Sequence, residues 1–470
     1  MNFYEIFLQS LCISLKIRTF HHQYRKDMNQ EELVRENENL RDEIAHLQRL
    51  LDEANAQLAQ LKNAENDVVH TFADLETRRF KMVTVLYSDI VGFDKLQNSD
   101  NAQSLVDELD TIWMKFDEIV SKYKIKKVKS IGDSYVCAGG IPTKNRTNPI
   151  ETVLAAMEIN HFLRSEKNIW NIHIGIHTGP VVATISGKKK NTYELKGDAA
   201  NIAYRIESYA QTGKILVSEM TYSFLRDMFD CEQAGTLPVK YTGAINMYEV
   251  KGFKPKYAVD MSLQVPSHDF IVKFLRVQFP DLEEYILDRL ERELPSYLHY
   301  HNVKHTMDVL VGVEVIATAE NVTDKEDLLL LRTAALFHDR GQIVQSKGHA
   351  RISCDYAREI LPSYHYSQEQ IDKICTLIMA TQLPPHPNSL LECIMCDADL
   401  DYLGRSDFIP VSDTLYDELH VQNLVTDKNT WNKQQIKFIS GHTYFTEFAK
   451  NNREVNKQKQ IKRLQSLIKE

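Results

Sequence analysis

The stretch VTVLYSDIVGF, Val83 to Phe93, runs from strand-like apolar residues straight into a carboxylate and then a glycine. β-Branched and aliphatic side chains are typical of a buried strand, so Asp89 is predicted to stand near the end of one. A charge at such a place costs free energy unless it finds a partner. The plain alternative is that Asp89 only accepts hydrogen bonds from turn amides.

Strand-like and helical runs alternate over residues 72–252. The order strand, helix, strand, strand, helix, strand, with additions, predicts an α+β domain of the ferredoxin-like type. Two of the strands, KKVKSI and SYVCAGG, flank Gly132 and Asp133, which by themselves indicate only a hairpin turn. If these strands are neighbours of the one ending at Asp89, the two carboxylates meet at one end of the sheet. Carboxylates that converge repel unless a cation joins them, and oxygen ligands suit Mg²⁺ or Mn²⁺.

A heptad repeat precedes this domain. Its apolar positions are flanked by charged and amide side chains and fall at Leu33, Leu40, Ile44, Leu47, Leu51, Ala54, Leu58 and Leu61. Asn37 lies at an a position, where asparagine fixes register and a two-stranded state. The pattern predicts a parallel dimeric coiled coil over residues 29–71, the alternative being a single amphipathic helix. Residues 1–28 form an N-terminal extension, either an interfacial helix or sequence upstream of a start at Met28.

The second half of the chain is predicted to be helical. Residues 253–268 lose periodicity and contain two prolines, which indicates a linker. Apolar residues then recur at helical spacing through most of residues 269–470, so an all-α domain is predicted there. Two of its predicted helices, 269–279 and 283–294, lie on either side of Pro280. The lysine-rich end, 454–470, is predicted to be a solvated helix.

Length and composition indicate a multidomain protein of the cytoplasm. The chain has 470 residues, 43% hydrophobic and 26% charged, which are ordinary values for globular proteins. A net charge of −9 without a basic domain argues against nucleic acid as a partner. Seven scattered cysteines suit a reducing compartment. No apolar run reaches the roughly 18 residues of a spanning helix, so no transmembrane segment is predicted.

Four motifs, in this order, resemble the class III adenylyl/guanylyl cyclase catalytic domain: YSDIVGF, VKSIGDSYVCAGG, GIHTGPVVATISG and GDAANIAYRIES. The resemblance implies two Mg²⁺ or Mn²⁺ ions, held by Asp89 and Asp133 with the backbone carbonyl of Ile90. One ion would lower the pKa of the ribose 3′-hydroxyl and the other would clamp the triphosphate. It also implies that Asn201 orients the ribose and that Arg205, on the same helix face, stabilises charge on the α-phosphoryl oxygens.

The positions expected to contact the base favour ATP. The family carries lysine before SIGD in adenylyl cyclases and glutamate in guanylyl cyclases, and this chain has Lys129. A lysine donates to N1 of adenine but would face the N1–H donor of guanine. The partner position holds Glu194, which would accept from the adenine amino group. The family's triphosphate-gripping lysine aligns near Thr242, which leaves Lys240 as a stand-in.

The resemblance also implies a homodimer. Family cyclases associate head to tail, with metal ligands from one chain and the asparagine and arginine from the other. A coiled coil directly upstream fits that requirement, so a homodimer through both segments is predicted. Asp94 in GFD and Thr184 in VVAT depart from the family's usual residues, but neither change removes a metal ligand or the arginine.

A second set of candidate ligands lies in YHNVKHTMDV, ALFHDRG and CDADLDYLG. An adjacent His-Asp in an apolar helix is costly to bury without partners. The three motifs resemble the HD-domain metal-dependent phosphohydrolases over about residues 269–448. The resemblance implies one divalent ion, Mn²⁺, Fe²⁺, Mg²⁺ or Zn²⁺, and its ligands would be His305, His338, Asp339 and Asp399. Asp397 is the alternative fourth ligand.

Two further histidines belong to this set. YHN looks like the start of the cyclic-nucleotide phosphodiesterase motif, which implies that His301 protonates the leaving oxygen. The segment HDRGQ lacks the further acidic and histidine positions that the phosphodiesterases carry. His349 is predicted either to bind a second metal ion or to cap a helix.

The combined prediction is a dimeric adenylate cyclase that makes 3′,5′-cyclic AMP and pyrophosphate from ATP. It carries a C-terminal HD phosphohydrolase domain, for which phosphodiesterase activity is one option. One alternative is an HD phosphohydrolase regulated by a nucleotide-sensing cyclase fold. Another is a nucleotide-responsive scaffold without catalysis. A scaffold would need none of the four cyclase residues Asp89, Asp133, Asn201 and Arg205, so their presence favours an enzyme.

Overall fold

The computed structural model describes residues 76–91, 102–165, 170–186, 192–239 and 243–468. The chain divides into two units, residues 1–76 with 185–191 and residues 77–184 with 192–470. The second unit contains every site discussed below. The predicted coiled coil and N-terminal extension lie outside the described residues, as do Lys240 and Asp94. Within the described ranges, no helix is both long and apolar enough to cross a bilayer.

In its described residues, the first domain is a mixed sheet with four helices. Its strands are β1 (Glu76–Val91), β2 (Lys126–Ile131), β3 (Ser134–Gly139), β4 (Asn171–Ser186), β5 (Thr192–Lys196), β6 (Ile215–Ser218), β7 (Phe229–Val239) and β8 (Gly243–Phe253). Its helices are α1 (Ala102–Lys122), α2 (Asn148–Ser165), α3 (Asp198–Glu207) and α4 (Glu219–Leu225). The strand order is β2-β3-β1-β4-β6-β8-β7, with β5 paired to β4. β4 and β6 are parallel, whereas β1 with β3 and β7 with β8 are antiparallel.

The predicted α+β order is confirmed by β1-α1-β2-β3-α2-β4. The sequence prediction did not resolve the later hairpin β7–β8, whose ends pair Phe229 with Phe253 and Val239 with Gly243. β7 alternates poorly between buried and exposed residues, because the ladder is irregular near Cys231 and Gly235. A period-2 pattern is therefore weak in this segment.

Helix α1 packs its apolar face on the sheet. Its buried residues recur at helical spacing and are Leu109, Ile112, Trp113, Phe116, Ile119 and Val120. Trp113 stacks on Tyr135 of β3 with ring centroids 5.5 Å apart, and the Tyr135 hydroxyl donates to Asp117 at 2.7 Å. These contacts fix β3, whose preceding turn carries Asp133.

The second domain is all helical, as predicted. Its helices are α5 (His268–Glu293), α6 (Val303–Ala319), α7 (Lys325–Phe337), α8 (His349–Ile360), α9 (Gln368–Ala380), α10 (Leu390–Asp399), α11 (Phe408–Val421), α12 (Lys428–Gly441), α13 (Glu447–Asn452) and α14 (Glu454–Leu467). Helix α7 is buried over most of its surface, which is typical of a central helix. It ends at Phe337, so His338 and Asp339, which follow it directly, are carried into the middle of the domain.

The two helices predicted on either side of Pro280 are one helix, and the predicted C-terminal helix is present but only partly solvated. Helix α5 runs without interruption through Pro280, because proline removes one backbone bond while Phe279 and Leu282 on either side remain fully buried. Helix α14 is not simply solvated. It buries Lys457, whose ammonium donates to the carbonyl of His442 at 2.5 Å, and it packs against α12.

Candidate active sites

The hairpin β2–β3 brings two carboxylates to one end of the sheet. β1 and β3 are antiparallel with Asp89 opposite Ser134, and the backbone N–H of Ile90 donates to the carbonyl of Asp133 at 2.9 Å. Gly132, the first of the two turn residues, has φ +61, as a type II′ hairpin requires. The turn geometry therefore places Asp133 beside Asp89.

The electrostatics of this pair fit a divalent cation. Burial raises the pKa of Asp89, and repulsion from Asp133 raises it further, while a hydrogen bond with Ser134 works to lower it. Oδ1 of Asp89 is buried without a hydrogen-bond partner among the described residues. An unpaired buried carboxylate oxygen next to a second carboxylate is a suitable ligand for a hard cation.

The helix α3 carries Asn201 and Arg205. Asn201 is exposed, and Nη2 of Arg205 donates to the carbonyl of Pro238 in β7 at 2.6 Å. Tyr204, on another face of α3, packs its ring 5.0 Å from that of Tyr87. Among the described residues, no hydrogen bond or ion pair joins Arg205 to Asp89 or Asp133 of the same chain.

Four candidate ligands of the second domain meet in its core. His305 lies in α6, His338 and Asp339 follow α7, and Asp399 ends α10. Nε2 of His305 is 3.3 Å from Oδ2 of Asp339 and 3.2 Å from Oδ1 of Asp399. Nε2 of His338 is 3.3 Å and 3.5 Å from the same two oxygens. The two Nε2 atoms are 3.3 Å apart. Donors that share one ion at ~2.0–2.2 Å are spaced in this way.

Hydrogen bonds prepare these donors for a metal. Nδ1 of His338 lies 2.8 Å from the carbonyl of Ala335, so Nδ1–H donates there and Nε2 keeps its lone pair. Oδ2 of Asp339 is buried without a hydrogen-bond partner among the described residues. Burial works to lower the pKa of His338, but Asp339 and Asp399 outweigh it and raise that pKa well above its ordinary value. A divalent cation bound here would take the place of the proton that the two carboxylates stabilise on His338.

Comparison with known proteins identifies two domains in the chain. Residues 75–252 match the adenylate and guanylate cyclase catalytic domain, and residues 302–401 match the HD domain. The chain joins a class III nucleotide cyclase domain to an HD domain. Domains of these two kinds generally depend on divalent metal ions.

The similar proteins include cyclases of both nucleotide types. A membrane guanylyl cyclase of Dictyostelium discoideum is 36% identical over 159 residues, which cover 33% of this chain and 11% of that protein. An adenylate cyclase of Mycobacterium tuberculosis is 31% identical over 199 residues, 42% of this chain and 43% of that protein. The chain thus spans less than half the length of either relative. The solved guanylate cyclase domain of RhGC from Catenaria anguillulae, in complex with GTP, is 29% identical to this chain in sequence. The matched region covers 38% of this chain and 100% of that chain, with a TM-score of 0.35.

In the cyclase domain, the two predicted base contacts lie on strands that approach each other. Lys129 is in β2 and Glu194 is in β5, two strands in contact. Both side chains are exposed, and Nζ of Lys196 lies 3.8 Å from Oε1 of Glu194.

A third carboxylate lies near the metal-site pair of the cyclase domain. Glu207, at the end of α3, is buried, and its Oε1 is 3.6 Å from Nδ1 of His173. Burial raises the pKa of Glu207 to about 7, and the charges of Asp89 and Asp133 contribute to that rise. The sequence reasoning missed Glu207, although its place two residues after Arg205 in the RIES motif was a usable signal.

In the HD domain, Asp399 rather than Asp397 faces the histidines. The carboxylate of Asp397 accepts hydrogen bonds from the backbone N–H of Phe445 at 3.0 Å and of Thr446 at 2.7 Å. The Thr446 hydroxyl donates to it at 2.7 Å. Asp397 is therefore used to hold the segment before α13, and Asp399 is the carboxylate left for a metal.

His349 also reaches the HD site. It is the first residue of α8, and its Nε2 lies 3.3 Å from Oδ1 of Asp339. Its Nδ1 is 2.8 Å from the carbonyl of Ser346, so that nitrogen is held by the preceding turn. His349 therefore lies near Oδ1 of Asp339, whereas His305 and His338 lie near Oδ2.

A hydrogen-bonded pair lies at the edge of the HD site. Nδ1 of His301 is 2.5 Å from Oε1 of Glu418 in α11, and the backbone N–H groups of Tyr300 and His301 donate to Oε2 at 2.9 and 3.0 Å. Next to them is a cavity of about 320 Å³ lined by His305, Asp399 and Tyr402, with Lys304 and Arg405 also in its wall. Glu418 was missed from the sequence, because 117 residues separate it from His301.

Proposed function

We propose that this chain is an adenylate cyclase that converts ATP to 3′,5′-cyclic AMP and pyrophosphate. The observation that carries the proposal is the convergence of Asp89 and Asp133, with Oδ1 of Asp89 buried and without a hydrogen-bond partner in the described ranges. Mg²⁺ or Mn²⁺, when bound there, supplies acidification of the ribose 3′-hydroxyl and neutralisation of the pyrophosphate. The carboxylates hold and orient these ions, and the carbonyl of Ile90 is the third protein ligand proposed.

The remaining cyclase roles fall on Asn201 and Arg205, which make no hydrogen bond or ion pair with the two carboxylates within the described part of the chain. Arg205 is to stabilise the charge that grows on the α-phosphoryl oxygens, and Asn201 is to orient the ribose. Because Arg205 of the same chain contacts Pro238 instead, the complete site is proposed to form between two copies of the chain. Cyclase domains bind a nucleotide and commonly dimerise, which supports a homodimer.

Adenine is favoured by Lys129 and Glu194. The two side chains come from strands in contact and are both exposed to solvent. An ammonium donor and a carboxylate acceptor match N1 and the amino group of adenine, whereas guanine presents a donor at N1 and a carbonyl beside it. Lys240 is proposed to contact the triphosphate.

The cyclase proposal is tested by product analysis. The purified chain is incubated with Mn²⁺ and either ATP or GTP, and cyclic nucleotide and pyrophosphate are quantified by chromatography. We expect cyclic AMP from the parent and none from Asp89→Ala. Asp110→Ala, an exposed carboxylate of α1, is the matched control and should retain activity. Cyclic GMP as the main product would refute the adenine assignment, and equal activity of Asp89→Ala would refute the site.

A second activity, phosphoester hydrolysis by the HD domain, is supported by His305 and His338, because each Nε2 lies 3.2–3.5 Å from a carboxylate oxygen of Asp339 and of Asp399. Mn²⁺, Fe²⁺, Mg²⁺ or Zn²⁺ held by His305, His338, Asp339 and Asp399 would supply Lewis acidity toward the phosphate. Glu418 orients His301, which is proposed to donate its proton to the leaving oxygen. The Glu418 carboxylate is anionic, because the imidazole and two backbone donors outweigh burial and lower its pKa.

Hydrolysis is tested with bis(4-nitrophenyl) phosphate and Mn²⁺. His338→Ala should abolish release of 4-nitrophenol, while His386→Ala, an exposed histidine, should leave it unchanged. If the parent consumes cyclic AMP as well, His338→Ala should make cyclic AMP accumulate in the cyclase assay. Silence of the parent in both assays would favour a scaffold.

A further inference from the structure

A buried arginine directly follows the HD-site aspartate. Arg340 is 0% exposed. Its Nη2 donates to Oε2 of Glu293 at 2.5 Å, and its guanidinium carbon lies 4.7 Å from the ring centre of Tyr356. Nε and Nη1 are buried without hydrogen-bond partners among the described residues. A buried guanidinium with a single carboxylate partner is held in place by that partner, and loss of either charge leaves the other uncompensated.

The backbone around Arg340 is tied to the metal-site residues. The N–H of Gly341 donates to the Ser353 hydroxyl at 2.8 Å, and that hydroxyl donates to the carbonyl of His338 at 2.7 Å. Ser353 belongs to α8 and bridges the two sides of Asp339. Asp339 is therefore held between α8, through Ser353, and α5, through the side chain of Arg340. A displacement of α5 would therefore be transmitted to Asp339 through Arg340, the next residue along the chain.

The other end of α5 belongs to the cyclase core. Phe270, in its first turn, packs its ring 4.6 Å from that of Phe253 and 5.7 Å from that of Phe229. Farther along the helix, the carboxylate of Asp281 accepts from the backbone N–H of Arg146 at 2.7 Å, and the Arg146 guanidinium pairs with the same carboxylate. That contact follows directly after Pro280, where the helix lacks one backbone hydrogen bond. The 26-residue helix spans roughly 39 Å.

We propose that Arg340 is a positioning residue of the HD site and that α5 couples it to the cyclase domain. The inference rests on the metal role proposed for Asp339. A rearrangement of the cyclase domain moves α5 through Phe270 and Asp281, and the Glu293–Arg340 pair passes the displacement to the turn that carries Asp339. The state of the cyclase domain thereby sets metal affinity and hydrolysis at the HD site. One polypeptide that both forms and hydrolyses phosphoesters needs such a connection, since independent sites could act in opposition.

The test measures Mn²⁺ binding by electron paramagnetic resonance on the full chain, in an Asp89→Ala background so that the signal reports the HD site. Arg340→Met should raise the Mn²⁺ dissociation constant about 10-fold or more, and Arg340→Lys should restore part of the affinity because it keeps the charge. Arg146→Ala, on the surface of the cyclase domain, should change bis(4-nitrophenyl) phosphate hydrolysis roughly 2- to 30-fold. Arg276→Ala, an exposed arginine on α5, is the matched control and should change neither quantity.

The variants separate positioning from folding. Arg146→Ala keeps the buried pair intact, so it tests the coupling even if Arg340→Met unfolds the domain. Wild-type values for Arg146→Ala in both measurements would overturn the coupling, and wild-type Mn²⁺ affinity in a folded Arg340→Met would overturn the positioning role. Failure of the Asp89→Ala parent to bind Mn²⁺ would instead overturn the HD metal site proposed above.

Discussion

Glu418 receives three hydrogen bonds from two consecutive residues, the backbone N–H groups of Tyr300 and His301 and the imidazole of His301. The imidazole is thereby fixed in direction beside the HD ligands, and its Nδ1 is occupied. Within the described part of the chain, its Nε2 makes no hydrogen bond, so this nitrogen can carry the proton that a leaving oxygen requires.

Replacing Glu418 should therefore reduce HD turnover more than metal binding. We expect Glu418→Gln to lower kcat for bis(4-nitrophenyl) phosphate about 10- to 100-fold, while the Mn²⁺ dissociation constant stays within about twofold. Asp417→Asn, the neighbouring residue, is the control and should remain active. An unchanged kcat in Glu418→Gln would contradict the role given to His301.

Mixing two inactive cyclase variants should restore activity. If Asp89 and Arg205 of different chains complete one site, an Asp89→Ala/Arg205→Ala heterodimer has one intact site and one doubly damaged site. An equimolar mixture of the single variants, after subunit exchange, should therefore reach about a quarter of wild-type cyclic AMP formation. Two Asp89→Ala preparations mixed in the same way are the control. No recovery in a mixture shown to contain heterodimers would mean that each site is built from one chain.

Base preference should follow Lys129. Lys129→Glu with Glu194→Cys should lower the ratio of kcat/KM for ATP to that for GTP by roughly 10- to 100-fold, the cost of exchanging a charge-assisted hydrogen bond for a mismatch. Lys126→Glu, exposed on the same strand, should leave the ratio unchanged. A double variant that loses both activities equally would show that these residues act in folding rather than in selection.

The buried carboxyl group of Glu151 should make stability depend on pH. Burial raises its pKa from 4.5 to about 7, although Asn145 and Thr147 donate hydrogen bonds to it. Between these two values the folded protein holds a proton that the unfolded chain has released, so the contribution to the free energy of unfolding falls as pH rises. Above pH 7 the cost reaches ~3 kcal/mol.

Glu151→Gln removes this titration, so its apparent melting temperature relative to wild type should rise from pH 5 to pH 8. Scanning calorimetry across that range measures the difference. Glu369→Gln, exposed on α9, should show a constant difference. A constant difference for Glu151→Gln too would mean that the carboxyl group is solvated.

The sequence alone determined the features that depend on neighbours along the chain. The strand ending at Asp89, the hairpin turn at Gly132 and the order of the cyclase elements follow from local periodicity and turn chemistry. The three HD motifs likewise identified His305 and His338 as candidate ligands. Each of these features lies within a short stretch, so its physical cause is contained in that stretch.

Only the tertiary structure decided which distant groups meet. Asp397 and Asp399 are equivalent in sequence, and the choice depends on backbone donors of Phe445 and Thr446, almost 50 residues later. The partner of His301 and the uninterrupted course of α5 through Pro280 have the same origin, since packing of separate helices outweighs local preference. Metal-site geometry and coupling between domains depend on such long-range contacts, and no local pattern specifies them.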